Sequence, residues 1–582
     1  MWRLVGVDRR LSSWSAALAD YACRNPSRRS SLTACVGTRF SRAALLPASV
    51  TSALRRPWPW ALAVAVLAVV TYRGALHDGF VMDDNAAILR NPIVTGPFSP
   101  LRVFATDFWG RAVGVNRYTE TYRPLTALTL AVDWNLAGGR PWWFHLSNVL
   151  MHACAAALVL RVAWGRFGSK FAAVAAGAVF AVHTLHTDAV TSIVGRADVL
   201  SLLGILVTYA LHGRDDRVGR LGAPLGLLAG LLAKESSLLV LPLVAMRDAR
   251  EGVPLVQWPR RYAGYAAAIA LCVAARWRVL GGLRGNRVPS ALRNPLFTAS
   301  PPEHLVTSLR LFGRAVKLTM APLDLLPDYS PGAVVPSVAL DGDVALGVGV
   351  IALLVGLVVW SWRRRHPFGD AALWVLTAGL AAVNLPVLLP RAFAERWWYV
   401  ASAGACVLFG AGLARVRHRL GLAPATLTLA LIVVALSWLT DRRNAVWEND
   451  ETLFHDAASL EPNLAFAQVG LAEQRLRYRN YREARLRCER AARVLPRWSE
   501  PWACLASVAE RTGQPERAAD YYARMNVGEG LSGDRRLQYV RFIARRDPAA
   551  GLRALDAMER DGPWTPFLQR AMATLRAELR AR

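Results

Sequence analysis

The stretch WPWALAVAVLAVVTYRGALHDGFVMDDNAAILRNP, residues 58–92, joins a long apolar run to a polar loop that carries two adjacent acids. Its first part, 58–72, has no charged residue and follows two arginines, a pattern typical of a membrane span that begins at the cytoplasmic interface. This span predicts that Asp83 and Asp84 lie on the opposite side of the membrane. An acid pair after a span is also common as a turn or a helix cap, so its surroundings must decide its role.

The composition indicates a polytopic membrane protein. Of the 582 residues, 54% are hydrophobic, and the apolar residues form long runs. The formal net charge is +28, but the arginines lie between these runs and not along one polar face. Positive-inside bias therefore accounts for the charge, and the pattern argues against a nucleic-acid partner.

The apolar runs predict an all-α membrane domain of about eleven spans over residues 57–440. The arginine-rich short connections then all fall in the cytoplasm, the N-terminus is cytoplasmic, the C-terminus is external, and residues 73–144 form a long first outer loop. The predicted spans are 58–72, 145–164, 171–187, 198–212, 219–233, 236–247, 262–280, 343–361, 371–390, 398–414 and 421–439.

A further apolar segment, 305–326, contains Arg310, Arg314 and Lys317 at helical spacing. A span here would place the arginine cluster after the next span on the outer side. We therefore predict an interfacial or re-entrant amphipathic helix within an outer-face segment, 281–342.

The two ends of the chain differ from the membrane domain. Residues 1–56 hold ten arginines, two acids and many serines, which predicts a disordered extension that is either a transit peptide or the product of an upstream start site. Residues 441–582 show a 34-residue period, which matches Leu471 with Leu505. This period predicts a tetratricopeptide-repeat domain, with clear repeats at 465–498 and 499–532 and a degraded third repeat with a capping helix at 531–582.

The cysteines show no metal or disulfide spacing. A bridge between Cys488 and Cys504 is conceivable on an oxidising face. Helix packing of both side chains is the favoured interpretation.

In the predicted topology, the ionisable residues at span ends converge on the outer face. A carboxylate there can take a proton from a hydroxyl acceptor, and cations can hold a phosphate leaving group. The candidates are Asp83 and Asp84 as catalytic residues, with Arg123, His183, His186, Asp188, Arg196, Asp198, Lys234, Glu235, Glu395 and Arg396 as donor-phosphate or sugar ligands.

Two blocks within this set have alternative interpretations. In HTLHTD, His183, His186 and Asp188 could ligate a metal, but hydrogen bonding to a phosphate, a sugar hydroxyl or a carboxylate is favoured, and helix-end capping stays open. In GRAD (195–198) and AKE (233–235), an interhelical salt bridge is as good an interpretation as ligand binding.

Several blocks together resemble the transmembrane and tetratricopeptide-repeat (TMTC) protein O-mannosyltransferases of the GT-C glycosyltransferase superfamily. The blocks are GFVMDDNAAILRNP, YRPLTALTL, FHLSNVLMHA, FAVHTLHTDAVTSIVGRADVL, LLAKES, LDLLPDYS, AERWWYV and WENDETLFHDAASLEPNLAFAQVG. In that family the HTLHTD block usually carries proline and glutamate where this chain has Thr184 and Asp188.

This resemblance implies a GT-C membrane fold and a sugar donor linked to polyprenyl or dolichyl phosphate, with mannose as the expected sugar. It also implies that Asp83 and Asp84 activate the acceptor, a Ser or Thr hydroxyl of a polypeptide docked on the repeats. Asp83 is favoured as the base and Asp84 as its orienter, in an inverting displacement that needs no obligatory metal.

The expected location is a bacterial inner membrane, or the endoplasmic reticulum membrane in a eukaryote, with the repeats on the periplasmic or lumenal side. A non-catalytic repeat scaffold that recruits partners is the main alternative function. A transporter of lipid-linked sugars is disfavoured because the charges cluster on one face.

Overall fold

The computed structural model describes residues 56–110, 121–282, 290–562, 564 and 566–581. Everything described below belongs to one compact unit, Pro57–Arg582. The predicted N-terminal extension lies outside the described residues, except for Arg56.

The described chain is almost wholly helical, which confirms the predicted all-α class. Among the described residues, the one isolated β-bridge pairs Trp498 with Glu529. The α-helices are, in chain order, α1 Trp58–Thr71, α2 Pro92–Thr95, α3 Pro100–Phe104, α4 Pro124–Ala137, α5 Pro141–Phe167, α6 Lys170–Val182, α7 Thr187–Val190, α8 Arg196–Leu211, α9 Arg217–Ala233, α10 Val240–Glu251, α11 Trp258–Leu280, α12 Pro301–Met320, α13 Gly342–Arg364, α14 Phe368–Ala382, α15 Glu395–Leu420, α16 Leu422–Val446, α17 Asp450–Leu460, α18 Ala465–Arg477, α19 Tyr481–Val494, α20 Ser499–Arg511, α21 Pro515–Val527, α22 Gly533–Arg546, α23 Pro548–Arg560 and α24 Pro566–Arg580.

The described residues include 6 helices that are long and apolar enough to cross a membrane, or up to 7 if one bent pair counts as a span. The bent pair is α6 with the segment Thr184–Val190, which meet at 52°. The helices are Pro141–Phe167, Ile193–Leu211, Leu255–Leu280, Gly342–Arg364, Glu395–Leu420 and Leu422–Val446. The chain is thus a multi-pass membrane protein.

The prediction of eleven spans is confirmed only in part. Every predicted segment lies largely within a helix, but α1 and α14 are shorter apolar helices. Helix α9 contains Pro224 in its interior and begins at Arg217, and α10 ends in a charged turn after only 12 residues. Helices α1 and α14 are therefore too short to count as full-length spans, and α9 and α10 are both short and charged at one end.

The helices differ in how much protein surrounds them. The apolar window of Ile193–Leu211 is 78% buried, so α8 lies at the centre of the membrane domain. The windows of α13 and α16 are 22% and 11% buried, and their exposed leucines and valines are suited to lipid contact.

The segment predicted as an amphipathic helix forms α12. A capping box of Ser300 and Glu303 begins this helix, which buries Leu311 and Phe312. Lys317 Nζ lies 2.6 Å from Asp343 Oδ1 at the start of α13. Among the described residues, α12 does not qualify as a span, and its position on the outer face stays a prediction.

The C-terminal region consists of consecutive helix pairs. Helices α18 and α20 begin at Ala465 and Ser499, and α19 and α21 begin at Tyr481 and Pro515, so both intervals equal the 34-residue period of the sequence. Helices α22 and α23 form a further pair, and α24 follows them.

Cys488 of α19 and Cys504 of α20 form a disulfide, with their Cα atoms 6.1 Å apart. The expectation of two free, packed cysteines was therefore wrong. The 16-residue separation is no disulfide signature, and only the packing of α19 against α20 brings the two side chains face to face.

Candidate active site

The acid pair lies in the connection between α1 and α2, which we call the acid loop, directly before a short π-helix, Asn85–Leu89. Its two members have different surroundings. The Asp83 side chain is 33% exposed, whereas Asp84 is fully buried. Asp84 Oδ2 accepts a hydrogen bond from the backbone N–H of Val81 at 3.2 Å, and Oδ1 accepts one from Val194 at 3.0 Å. Asp84 thus anchors the loop to the segment before α8, and Asp83 is the member that a substrate can reach.

The two carboxyl groups are shifted in opposite directions. Burial raises the pKa of Asp84 to about 7, and the neighbouring charge of Asp83 adds to the rise. Burial also acts to raise the pKa of Asp83, but Arg391, Arg396 and Arg293 outweigh it and hold that pKa below its ordinary value. Asp83 is therefore ionised at neutral pH.

Arg396, at the start of α15, connects Asp83 to the HTLHTD block. Its Nη2 atom lies 3.5 Å from Asp83 Oδ2, and its Nη1 atom lies 3.2 Å from Asp188 Oδ1. The Arg396 backbone N–H also donates to Asp188 Oδ2 at 3.0 Å. The Arg396 side chain is 17% exposed and the Asp83 side chain 33%, so both members of this contact are partly accessible to solvent.

Lys234 and Asp198 form a buried ion pair with a distance of 2.5 Å between Nζ and Oδ1. Both also interact electrostatically with Arg396. The GRAD and AKE blocks are therefore joined by the interhelical salt bridge that was one of their two interpretations. The pair therefore lies near Arg396 but adds no net charge to the site.

Arg123 and Glu235 form a looser pair, with Nη2 and Oε1 3.6 Å apart. The Glu235 side chain is 52% exposed, and Glu235 adjoins the buried Lys234. This pair links the start of α4 to the end of α9.

Two residues that the sequence analysis did not select also belong to this site. Arg391 contributes to the field at Asp83, and its Nη1 atom lies 2.8 Å from Asp328 Oδ1. Asp328 belongs to the LDLLPDYS block, and Arg391 lies five residues before Arg396. The LDLLPDYS block is one of those that resemble the family, but no spacing in the sequence indicates that Asp328 contacts Arg391.

Glu395, unlike the neighbouring Arg396, is fully buried. Its Oε1 atom accepts hydrogen bonds from the Leu326 backbone at 2.6 Å and from the Tyr329 hydroxyl at 2.8 Å. Glu395 therefore holds the segment that carries Asp328 against α15.

Arg196 is also fully buried. It contacts Asp133 Oδ2 at 2.6 Å, Asn148 Oδ1 at 2.6 Å and the Phe144 carbonyl at 3.0 Å. Its charge is committed to holding α8 against α4 and α5, so we do not include Arg196 among the donor ligands.

The two histidines have protein partners at both ring nitrogens. His183 contacts the Thr319 carbonyl at 2.9 Å, and its Nδ1 accepts from the Leu185 N–H at 3.2 Å. His186 contacts the Phe180 carbonyl at 3.0 Å and the Ser402 hydroxyl at 2.7 Å. The contact of His183 with the Leu185 N–H is the helix-end capping that stayed open for HTLHTD. Within the part of the chain that the structure describes, no group of three or more His, Cys, Asp or Glu residues could hold a metal ion.

Comparisons with known proteins point to the family that the motifs resemble. Protein O-mannosyl-transferase TMTC1 of Homo sapiens is 28% identical over 452 residues, which are 68% of this chain and 50% of that protein. Protein O-mannosyl-transferase Tmtc2 of Drosophila melanogaster is 40% identical over 198 residues, which are 32% of this chain and 21% of that protein. These matches confirm the predicted resemblance as distant homology to the TMTC proteins.

The similarity has clear limits. The chain spans half or less of the length of these two relatives. No protein-family model matches the chain. Among solved structures, ArnT from Cupriavidus metallidurans bound to undecaprenyl phosphate aligns at 14% identity over 81% of this chain and 80% of its own, with a TM-score of 0.37.

Proposed function

We propose that this distant homologue of the TMTC protein O-mannosyltransferases is a membrane glycosyltransferase of the GT-C class. It moves a sugar, with mannose as the expected one, from a polyprenyl or dolichyl phosphate to a Ser or Thr hydroxyl of a polypeptide. The observation that carries the proposal is the partly exposed Asp83 carboxylate, with Arg396 3.5 Å away and Asp84 anchored behind it. Asp83 supplies a proton acceptor, and Arg396 beside it supplies a cation that can bind a phosphate.

The proposed reaction is an inverting displacement at the anomeric carbon. The acceptor oxygen attacks that carbon and forms the new glycosidic bond, and the bond to the phosphate oxygen breaks on the opposite side. The hydroxyl proton passes to Asp83, and the lipid phosphate leaves with the electron pair of the broken bond. Such a base contributes about 100- to 10,000-fold to the rate.

Donor binding would strengthen the base. In the free protein, Arg396 and Arg391 hold the pKa of Asp83 low, which keeps the carboxylate ionised but makes it a weak base. A phosphate bound to these arginines offsets their positive charge at Asp83. The pKa of Asp83 then rises, and the carboxylate accepts a proton more readily once the donor is in place.

Arg396 and Lys234 differ as candidate phosphate ligands. Arg396 is partly exposed, and its guanidinium has five N–H donors, more than its contacts with Asp83 and Asp188 use, whereas Lys234 is buried in its pair with Asp198. We therefore assign the direct contact with the donor phosphate to Arg396. We assign Lys234 no contact with the phosphate; Lys234 and Asp198 interact with Arg396 electrostatically.

We propose that the reaction takes place on the outer face of the membrane, on the periplasmic or lumenal side. The Gly79 backbone N–H donates to the Glu448 carbonyl at 2.9 Å, so the acid loop and the start of the repeat region lie on one side of the membrane. The Cys488–Cys504 disulfide is suited to an oxidising compartment. An acceptor polypeptide docked on the repeats would then face the site.

The test is transfer of labelled mannose from polyprenyl phosphate mannose to a Ser/Thr-containing peptide by the purified full chain in nanodiscs. We expect labelled peptide with an anomeric configuration opposite to that of the donor. A wild-type protein that turns over no lipid-phosphate sugar, with mannose or with other hexoses and pentoses, would contradict the proposal and favour the repeat scaffold. Retention of configuration would contradict the displacement.

A further inference from the structure

The residue before Asp83 has an unusual backbone conformation. Met82 has a φ of +47°, in the left-handed region that a side chain with a Cβ atom adopts at a cost. Among the described residues, only Arg365, Asn384 and Arg479 share this property without being glycine. Such a conformation persists only where the surrounding structure holds it.

The contact that holds Met82 comes from the far end of the chain. The Met82 backbone N–H donates to Asp450 Oδ1 at 2.9 Å, and Asp450 is the first residue of α17. Two residues earlier along the tail, the Glu448 carbonyl accepts from the Gly79 N–H at 2.9 Å. The WEND segment (447–450) therefore binds the backbone of the acid loop at two points.

Apolar packing surrounds these two hydrogen bonds. Trp447 and Leu453 form a buried cluster with Val81, and none of the three is more than 2% exposed. The Met82–Asp450 hydrogen bond is part-buried beside this cluster, so apolar packing as well as hydrogen bonding joins the WEND segment to the acid loop.

Asp83 therefore lies between two anchors. On its N-terminal side, Asp450 holds Met82; on its C-terminal side, the Asp84 carboxylate is fixed by the Val194 and Val81 N–H groups. The Asp83 backbone has little freedom between these anchors, and its side chain is directed toward Arg396.

We infer that Asp450 is a positioning residue, which acts through the left-handed backbone of Met82 to hold the Asp83 carboxylate in its reactive place. The inference rests on the proposed function, because it assigns a purpose to the orientation of the proposed base. It also gives the WEND segment a role in the reaction beyond joining two domains.

The same junction connects the base to the repeats. Helix α17 packs directly on α18, where the Phe454 ring rests against the backbone of Gly470. A shift of the first helix pair, such as one caused by an acceptor that binds there, would thus reach Asp450 and then the Asp83 loop. The binding of an acceptor to the first helix pair could therefore change the position of the Asp83 carboxylate through Asp450.

The test compares variants of the full chain in nanodiscs. Asp450→Ala removes the acceptor for the Met82 N–H, and we expect kcat to fall about tenfold while the donor KM changes little. Asp450→Asn keeps a side-chain oxygen and should retain most of the activity. Asp534→Asn is the matched control, because Asp534 also joins the repeat region to this loop through an exposed contact with Arg90 at 3.0 Å.

A second substitution separates positioning from general stability. Glycine adopts a φ near +47° without the cost that methionine bears, so Met82→Gly should restore much of the kcat lost in Asp450→Ala. An Asp450→Ala protein with wild-type kcat would overturn the inference, as would a loss that neither Asp450→Asn nor Met82→Gly relieves.

Hydrogen exchange decides the inference independently of catalysis. We expect faster amide exchange in peptides that cover residues 79–84 in Asp450→Ala than in the wild type, and no change in Asp534→Asn. Unchanged exchange in Asp450→Ala would overturn the inference, whether or not the wild type transfers a sugar. A catalytically inactive wild type with altered exchange in Asp450→Ala would count against the proposed function alone.

Discussion

At the scale of single residues, the proposed chemistry depends on the contrast between two adjacent aspartates. Asp84 uses both carboxylate oxygens to bind backbone N–H groups, and its burial raises its pKa to about 7. Asp83 is partly exposed beside Arg396, and nearby arginines hold its pKa low. Asp84 is thus the structural anchor, and Asp83 is the proposed base.

The raised pKa of Asp84 predicts a pH-dependent stability. A carboxyl whose pKa is higher in the folded state binds more protons there than in the unfolded chain, so stability falls as the pH rises from about 4 through about 7. Asp78, whose burial and proximity to Glu448 raise its pKa to about 8, extends this decline upward. We expect the melting temperature in detergent to decrease between pH 5 and 8 by several degrees.

Asparagine substitutions test the origin of that decline. Asp84→Asn and Asp78→Asn each remove one titrating group and should flatten the profile of melting temperature against pH. Equal slopes for the wild type and both variants would show that other groups cause the decline.

Substitution of Arg396 tests its role as a phosphate ligand. Arg396→Lys keeps the charge but loses the fork that can bind a phosphate and an aspartate together, so kcat/KM for the lipid donor should fall by about 10- to 100-fold. Steady-state kinetics with varied donor measure this change. Arg497→Lys, at a side chain that is 83% exposed, is the control, and an equal effect of both substitutions would contradict the assignment.

The sequence predicted part of this site and missed the rest for identifiable reasons. The acid pair and Arg396 lie in blocks that topology places on one face, so their convergence could be expected. Arg391 and Asp328 could not be selected, because their contact joins segments 63 residues apart that no periodicity relates. Arg196 was selected because it is charged, but burial is a property of packing that composition does not reveal.

At the scale of helices, a close approach of α8 and α9 supports the Lys234–Asp198 pair. A Cβ atom at Gly204 would lie 2.6 Å from the Gly230 Cα atom and 2.8 Å from the Gly226 carbonyl oxygen. Such contacts are typical of membrane helices that pack through small residues.

A larger side chain at this position should separate the two helices. We expect Gly204→Val to lower the stability by about 1–3 kcal/mol through overpacking, and to weaken activity by moving Lys234. Thermal unfolding in detergent measures the loss. Gly349→Ala, inside α13 where an added Cβ meets nothing within 4 Å, should not lower the melting temperature, and an equally stable Gly204→Val protein would contradict the close packing.

Helix positions were easier to predict than helix roles. Each apolar run of the sequence lies largely within a helix of the structure, because a buried or lipid-facing helix needs apolar side chains at most positions. Whether a run crosses the membrane depends on features outside that pattern. The 52° bend after Val182, for example, breaks a segment that hydropathy alone counts as one uniform span.

At the scale of the whole molecule, we propose that the acid loop and the repeats lie on the same external side. Leu101 in the predicted first outer loop and Val527 in the repeat region are 85% and 87% exposed, and Val256 in a predicted cytoplasmic connection is 84% exposed. Cysteines introduced at these positions would report their side of the membrane.

We expect Leu101→Cys and Val527→Cys to react with an impermeant maleimide in intact cells or sealed, correctly oriented vesicles, and Val256→Cys to react only after permeabilisation. The background is a protein with its native unpaired cysteines replaced and the Cys488–Cys504 bridge retained. Labelling of Val256→Cys alone would contradict the external location. Opposite behaviour of Leu101→Cys and Val527→Cys would contradict the shared side.

The repeat region illustrates the limit of sequence at this scale. A 34-residue period identified the helix pairs, because repeats of one supersecondary unit recur in the residues that pack between them. Nothing in that period indicated that the segment before the first pair would bind the acid loop. That contact joins Met82 to Asp450, 368 residues apart, and only the folded chain reveals it.

The most direct test of the central claim is a single-turnover measurement of sugar transfer by donor-saturated protein, with Asp83→Asn and Asp84→Asn compared with the wild type. We expect Asp83→Asn to slow the chemical step by about 100-fold or more, since the amide cannot accept the hydroxyl proton, while donor binding persists. Asp84→Asn should be impaired less and should lose stability as well. An Asp83→Asn protein that transfers sugar at the wild-type rate would contradict the account.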